Sequence, residues 1–156
     1  MDNLIQQMIN EYQIQNDQDR RNALKEVIQE IVLCGLSRVG FFSEAAFYGG
    51  SALIIFYGLD RFSEDLDFSL VQVNTKFNFE KYIPGLANEL SSYGLNLEIS
   101  IKDKAIDSTI KSAFVKGNTK ELILKFFENE SLTNKIVKNE IVKVKFEVDI
   151  YPTQYA

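Results

Sequence analysis

Val142-Lys143-Val144-Lys145-Phe146-Glu147-Val148-Asp149-Ile150 alternates apolar and polar residues without a break. A β-strand turns successive side chains to opposite faces. Val142, Val144, Phe146, Val148 and Ile150 therefore read as the core side of a sheet, and Lys143, Lys145, Glu147 and Asp149 as its polar side. Asp65-Leu66-Asp67-Phe68 shows the same alternation inside a strand read from Arg61 to Leu70. Leu95, Leu97, Ile99 and Ile101 alternate as a third strand. Ser112 to Lys116 reads as a fourth, with Gly117-Asn118 as its turn, and Ala45-Ala46-Phe47-Tyr48 as a short buried fifth.

Helices precede and interleave with these strands. Leu4 to Ile14 fits a short amphipathic helix. A second starts near Asn16 or Asp17, both good N-caps, and carries Leu24, Val27, Ile28, Ile31, Val32, Leu36 and Val39 at helical spacing. Gly40 is a natural stop. Ala52 to Tyr57 suits a buried helix ended by Gly58, and Phe79 to Tyr93 a helix interrupted early by Pro84-Gly85 and closed by Gly94. Lys120 to Glu128 fits helix and strand alike. The predicted class is α/β or α+β with a mixed sheet flanked by helices. A chain of 156 residues suits one domain, with helices over 1–40 and a sheet region over 45–152.

Composition excludes several chemistries. The chain has no histidine, which removes Ser-His-Asp and Cys-His catalysis and His-ligated zinc. One cysteine, Cys34, allows no internal disulfide, and its apolar setting Ile31-Val32-Leu33-Cys34-Gly35-Leu36 predicts a buried structural thiol. The start Met1-Asp2-Asn3-Leu4 lacks the pattern of a secretory signal, and no apolar run reaches the ~18 residues of a membrane span. A cytoplasmic protein is the expectation. Net charge is −5, yet residues 101–145 hold ten lysines against six acids. That region is a solvated surface or a basic face for a phosphate-bearing ligand.

Carboxylates, hydroxyls, Lys and Arg are left to carry chemistry. Period-two geometry sets Asp65 and Asp67 on one face, roughly 7 Å apart, where they repel unless a cation lies between them. Mg²⁺ is bound through one or two carboxylates, water and substrate phosphates, so the pair is a cradle of the right kind. Glu147 and Asp149 are acids of the same sort, and a neighbouring strand would bring one of them beside the pair. Three carboxylates can hold two metal ions, one activating the attacking oxygen and one on the leaving phosphates. Gly49-Gly50-Ser51 is a flexible turn from strand to helix, where backbone N–H groups and the Ser51 hydroxyl can meet phosphate.

Gly49-Gly50-Ser51 followed after thirteen residues by Asp65-Leu66-Asp67-Phe68 resembles the Gly-Ser…Asp-x-Asp signature of the DNA polymerase β-like nucleotidyltransferases. More narrowly, Phe47-Tyr48-Gly49-Gly50-Ser51-Ala52-Leu53 with Tyr57 to Ser69 is similar to the AbiEii/AbiGii toxin family, and Phe146-Glu147-Val148-Asp149-Ile150-Tyr151-Pro152 to that family's later acidic strand. The resemblance implies transfer of a nucleoside monophosphate from an NTP, by the toxin of a bacterial toxin–antitoxin or abortive-infection system. It implies a cognate antitoxin, and since some members modify tRNA acceptor ends, tRNA as an acceptor. Carried over by position, Gly49, Gly50 and Ser51 hold NTP phosphates, Asp65 and Asp67 bind Mg²⁺, and Glu147 or Asp149 is the third carboxylate. Arg61 braces the loop or contacts phosphate. The family usually continues into a helical region with a Lys and an Arg-Asp-x-x-Asp segment, which is missing here, so the expectation is an N-terminal piece or a reduced member. The competing readings are a nucleotide- or partner-binding module without turnover and a metal-dependent nuclease.

Overall fold

The computed structural model describes residues 4–48, 65–102, 110–127 and 137–151. Helix α1 (Leu4–Ile9) leads into α2 (Asp17–Arg38). The N-cap of α2 is Asn16, whose side chain accepts from the Asp19 N–H at 2.8 Å. Ala23, Leu24, Val27, Ile28, Ile31, Val32 and Leu36 form its buried stripe. Gly40, at φ +85°, sits in the left-handed region that favours glycine and turns the chain out of α2. Strands β1 (Ala45–Tyr48) and β2 (Asp65–Leu70) follow, then a 3₁₀ turn at Phe79–Lys81 and α3 (Ile83–Ser92). β3 (Glu98–Lys102), β4 (Ile110–Asn118), α4 (Thr119–Phe126) and β5 (Ile141–Asp149) complete the order.

The five strands make one mixed sheet in the order β1-β2-β5-β4-β3. Only the central β2–β5 pair is parallel; β1–β2, β5–β4 and β4–β3 are antiparallel. The expected α+β class with helices around a mixed sheet is the one found. Leu66 and Phe68 of β2, Ala113 and Val115 of β4, and Val144, Phe146 and Val148 of β5 enter the core with the apolar stripe of α2. Aromatic rings fill one end of it. Phe41 meets Phe68 edge-on at 5.0 Å, and Phe79 meets Phe146 edge-on at 5.2 Å. The α2–α3 contact is close at Gly35, where an added Cβ would lie 2.7 Å from Leu86 Cδ1.

Several sequence expectations change. The first helix stops at Ile9 because the polar run from Asn10 offers only half-buried Tyr12 and Ile14 to the core. Pro84 opens α3 rather than interrupting it, where its missing N–H costs no helical bond. Gly117 and Asn118 are paired strand residues opposite Val142 and Ile141, since a helix and not a return strand comes next. The ambiguous stretch from Lys120 resolves through Phe126 as α4, started by the Asn118 side chain accepting from the Glu121 N–H at 3.0 Å. Cys34 is exposed, not buried. It lies between Glu30 and Arg38 on an i, i+4 row of α2 that faces solvent. The predicted helix over Ala52–Tyr57 lies outside the described residues. Among the described residues, no helix is long and apolar enough to cross a membrane.

Candidate active site

The parallel β2–β5 register sets Asp65 opposite Lys145, Asp67 opposite Glu147, and Ser69 opposite Asp149. Residues opposed in register share a face, and adjacent strands are about 4.8 Å apart. Asp67 and Glu147 are thus neighbours on the polar side, held there because Leu66, Phe68, Phe146 and Val148 are completely buried on the other. The row continues across the sheet, with Ser112 opposite Glu147 and Lys102 opposite Ser112. Asp149 stands one pleat further along, and its Oδ1 accepts from the Tyr151 N–H at 2.9 Å. Of the four acids predicted from sequence, the fold brings Asp67 and Glu147 level and sets Asp149 beside Ser69. For Asp65 the backbone position is described and the side chain is not. Gly49, Gly50, Ser51 and Arg61 lie outside the described residues.

Three features of this face were not legible as parts of a site. Lys145 Nζ lies 2.6 Å from Glu147 Oε1, an ion pair inside the acidic row. The ring of Phe114, buried on the polar side, has the ammonium groups of Lys143, Lys145 and Lys102 at 4.2, 5.9 and 6.0 Å from its centre. Ser112 is fully buried, and its hydroxyl has no hydrogen-bond partner among the described residues. The lysine-rich stretch noted in sequence thus gathers in part around one aromatic ring beside the carboxylates. Strand alternation did signal that Lys143, Lys145 and Glu147 share a face. It carried no sign that Phe114 and Ser112 share it with them.

Divalent-metal chemistry has suitable donors here. Mg²⁺ takes oxygen ligands, usually one or two carboxylates with water and phosphate completing its octahedron. Asp67 and Glu147 supply two carboxylates side by side. Among the described residues, no three His, Cys, Asp or Glu side chains converge into a metal-binding group.

The domain is thus α+β, a mixed sheet with two acids level across a parallel strand pair on the side away from the helical core. The profile described as nucleotidyl transferase AbiEii toxin, type IV TA system, matches residues 31–154, and the chain belongs to that family. No curated protein matches it significantly. Among solved structures, a nucleotidyltransferase candidate from Helicobacter pylori is similar with a TM-score of 0.49 and 23% identity, over 83% of this chain and 45% of that one. The H. pylori protein JHP933 is similar with a TM-score of 0.46 and 23% identity, over 83% of this chain and 46% of that one. The chain spans less than half the length of either structure.

Proposed function

We propose that this domain transfers a nucleoside monophosphate from an NTP to a hydroxyl of an RNA or protein acceptor, as the toxin of a toxin–antitoxin pair. The family supports the toxin role and, with it, an antitoxin partner. The observation that carries the reading is the level placement of Asp67 and Glu147 across the parallel β2–β5 pair. In this reading Asp65, Asp67 and Glu147 are the metal-binding carboxylates, and Asp149 is not. Bound Mg²⁺ would supply charge neutralisation of the phosphates and activation of the attacking oxygen.

The chain's own residues then divide the remaining work. Asp67 and Glu147 are fixed by two strands whose opposite faces are packed, so they hold their geometry without reorganising. Gly49, Gly50 and Ser51 hold the NTP phosphates through backbone N–H groups and a hydroxyl, and Arg61 braces the loop between them and Asp65. The acceptor hydroxyl approaches from the polar side of the sheet, and tRNA is the RNA to test first.

Incubation of the chain with α-labelled NTPs, Mg²⁺ and total RNA or protein tests this. Label on RNA or protein that is lost in Asp67→Asn supports it. NTP binding without transfer would instead favour a binding module, and RNA cleavage without label a nuclease.

A further inference from the structure

Lys145 is a cation already seated in the acidic row. Its Nζ is 2.6 Å from Glu147 Oε1, and in the register it stands opposite Asp65, one pleat from the Asp67–Glu147 level. It has a second favourable neighbour on the same face. Its Nζ is 5.9 Å from the centre of the Phe114 ring, within the range in which an ammonium is attracted to an aromatic face. Lys143 and Lys102 sit at 4.2 and 6.0 Å from that ring, and among the described residues neither makes an ion pair. Lys145 is thus the member of the three that sits within reach of both a carboxylate and the ring.

We propose that Lys145 is an exchangeable counter-ion. In the metal-free protein its ammonium neutralises Glu147. When a divalent cation binds the carboxylates, the ammonium leaves Glu147 and moves toward Phe114. The inference rests on the reading of Asp67 and Glu147 as metal ligands. It goes beyond that reading by giving Lys145 a positioning role that competes with metal. Two costs then oppose metal entry: breaking the Lys145–Glu147 pair, and the repulsion between ammonium and metal ion. The same pair removes the repulsion that would otherwise act between Glu147 and its neighbouring acids while the metal is away.

The sign of one measurement separates this role from a merely structural one. Mn²⁺ binding to the chain, without nucleotide, is followed by electron paramagnetic resonance for wild type, Lys145→Met, Lys145→Gln, Lys145→Arg and Asp67→Asn. Both neutral variants should bind Mn²⁺ more tightly than wild type, on the order of tenfold, equivalent to about 1.4 kcal/mol. Lys145→Met keeps the aliphatic stem against Phe114, so it controls for lost packing, and circular dichroism checks the fold of each variant. Lys145→Arg should stay near wild type. In metal-free buffer, the neutral variants should melt lower than wild type, and that gap should shrink as Mg²⁺ is added. Unchanged or weaker Mn²⁺ binding in the folded neutral variants would overturn the counter-ion role. The control keeps the two levels apart. If Asp67→Asn binds Mn²⁺ as wild type does, the carboxylate reading itself falls. If Asp67→Asn loses Mn²⁺ while the Lys145 variants do not gain it, the Lys145 inference alone falls.

Discussion

Glu147→Gln and Asp149→Asn remove one charge each from the same strand, two residues apart, and the register predicts unequal outcomes. Glu147 is level with Asp67 across adjacent strands, about 4.8 Å away backbone to backbone. Asp149 is a further two residues along β5, so its backbone lies about 8 Å from Asp67. A unit charge acting at about 4 Å in a partly buried site, with an effective dielectric near 20, is worth about 4 kcal/mol. Asp149 is as partly buried as Glu147, so at about 8 Å with the same dielectric its charge is worth about 2 kcal/mol. Glu147→Gln should therefore lower transfer by roughly a thousandfold, while Asp149→Asn should lower it by only about thirtyfold.

The assay is initial-rate transfer of labelled nucleotide at saturating Mg²⁺, with Mn²⁺ affinity measured in parallel. Both variants should keep the fold, since neither side chain enters the core and Glu147 is only partly buried. A thousandfold loss in Asp149→Asn, with near-normal turnover in Glu147→Gln, would refute the use of register to choose the third carboxylate. Equal, severe losses in both would show that the metal-binding group reaches one pleat further along β5 than the pairing implies.

Asn16→Ala removes the side-chain acceptor that satisfies the Asp19 N–H at the start of α2, and should cost about 1 kcal/mol, lowering Tm by about 2–4 °C in a thermal melt. Gly35→Ala forces a methyl to 2.7 Å from Leu86 Cδ1 at the α2–α3 contact; overpacking of about 1–3 kcal/mol should appear as a lower denaturation midpoint in urea. Although Glu30 is on the exposed row of α2, partial desolvation of its carboxyl, with the charges of Glu26 and Glu11 nearby, raises it above its ordinary pKa, so the fold favours its neutral form. The stability this contributes is present below the ordinary Glu value of about 4.3 and is lost as pH rises through the raised one. Glu30→Gln should therefore raise Tm at pH 7 and leave it unchanged below about pH 4, checked by melts across that range.

The sheet and the long helix were legible because each carries a strong periodic signal. β5 alternates through nine residues, and α2 repeats its apolar positions over 22 residues behind an Asn cap. The ambiguous Lys120–Glu128 also carried its answer, in Asn118 followed three residues later by Glu121, a helix-start pattern realised in the fold. Where reading failed, a tertiary relation decided. Cys34 has apolar neighbours in sequence, but the arc of α2 facing the sheet passes through Ile31, Val32, Gly35 and Leu36, leaving it outside. The two acids of β2 and the two of β5 were identifiable as a group. Which of the latter stands beside Asp67 depends on how two strands far apart in sequence slide past each other, and alternation does not encode that offset.

What sets the offset is the core, on the side of the sheet away from the acids. A slip of one residue between β2 and β5 would turn every polar side chain of one strand into the apolar layer. A slip of two residues keeps the faces, yet would bring Asp67 level with Lys145 or with Asp149. Alternation therefore permits three pairings, and packing has to choose among them. In the observed register Leu66 is level with Phe146, and Phe68 with Val148. Phe146 meets Phe79 edge-on, Phe68 meets Phe41, and Phe41 stacks on Phe79 at 6.4 Å, a chain of contacts that links both strands. Moving either strand by two residues, roughly 7 Å, would carry one aromatic out of that chain while leaving its partner in place. The apolar layer thus selects the one sliding position in which Asp67 faces Glu147. An alanine at Phe68 would loosen the acidic pair without touching it.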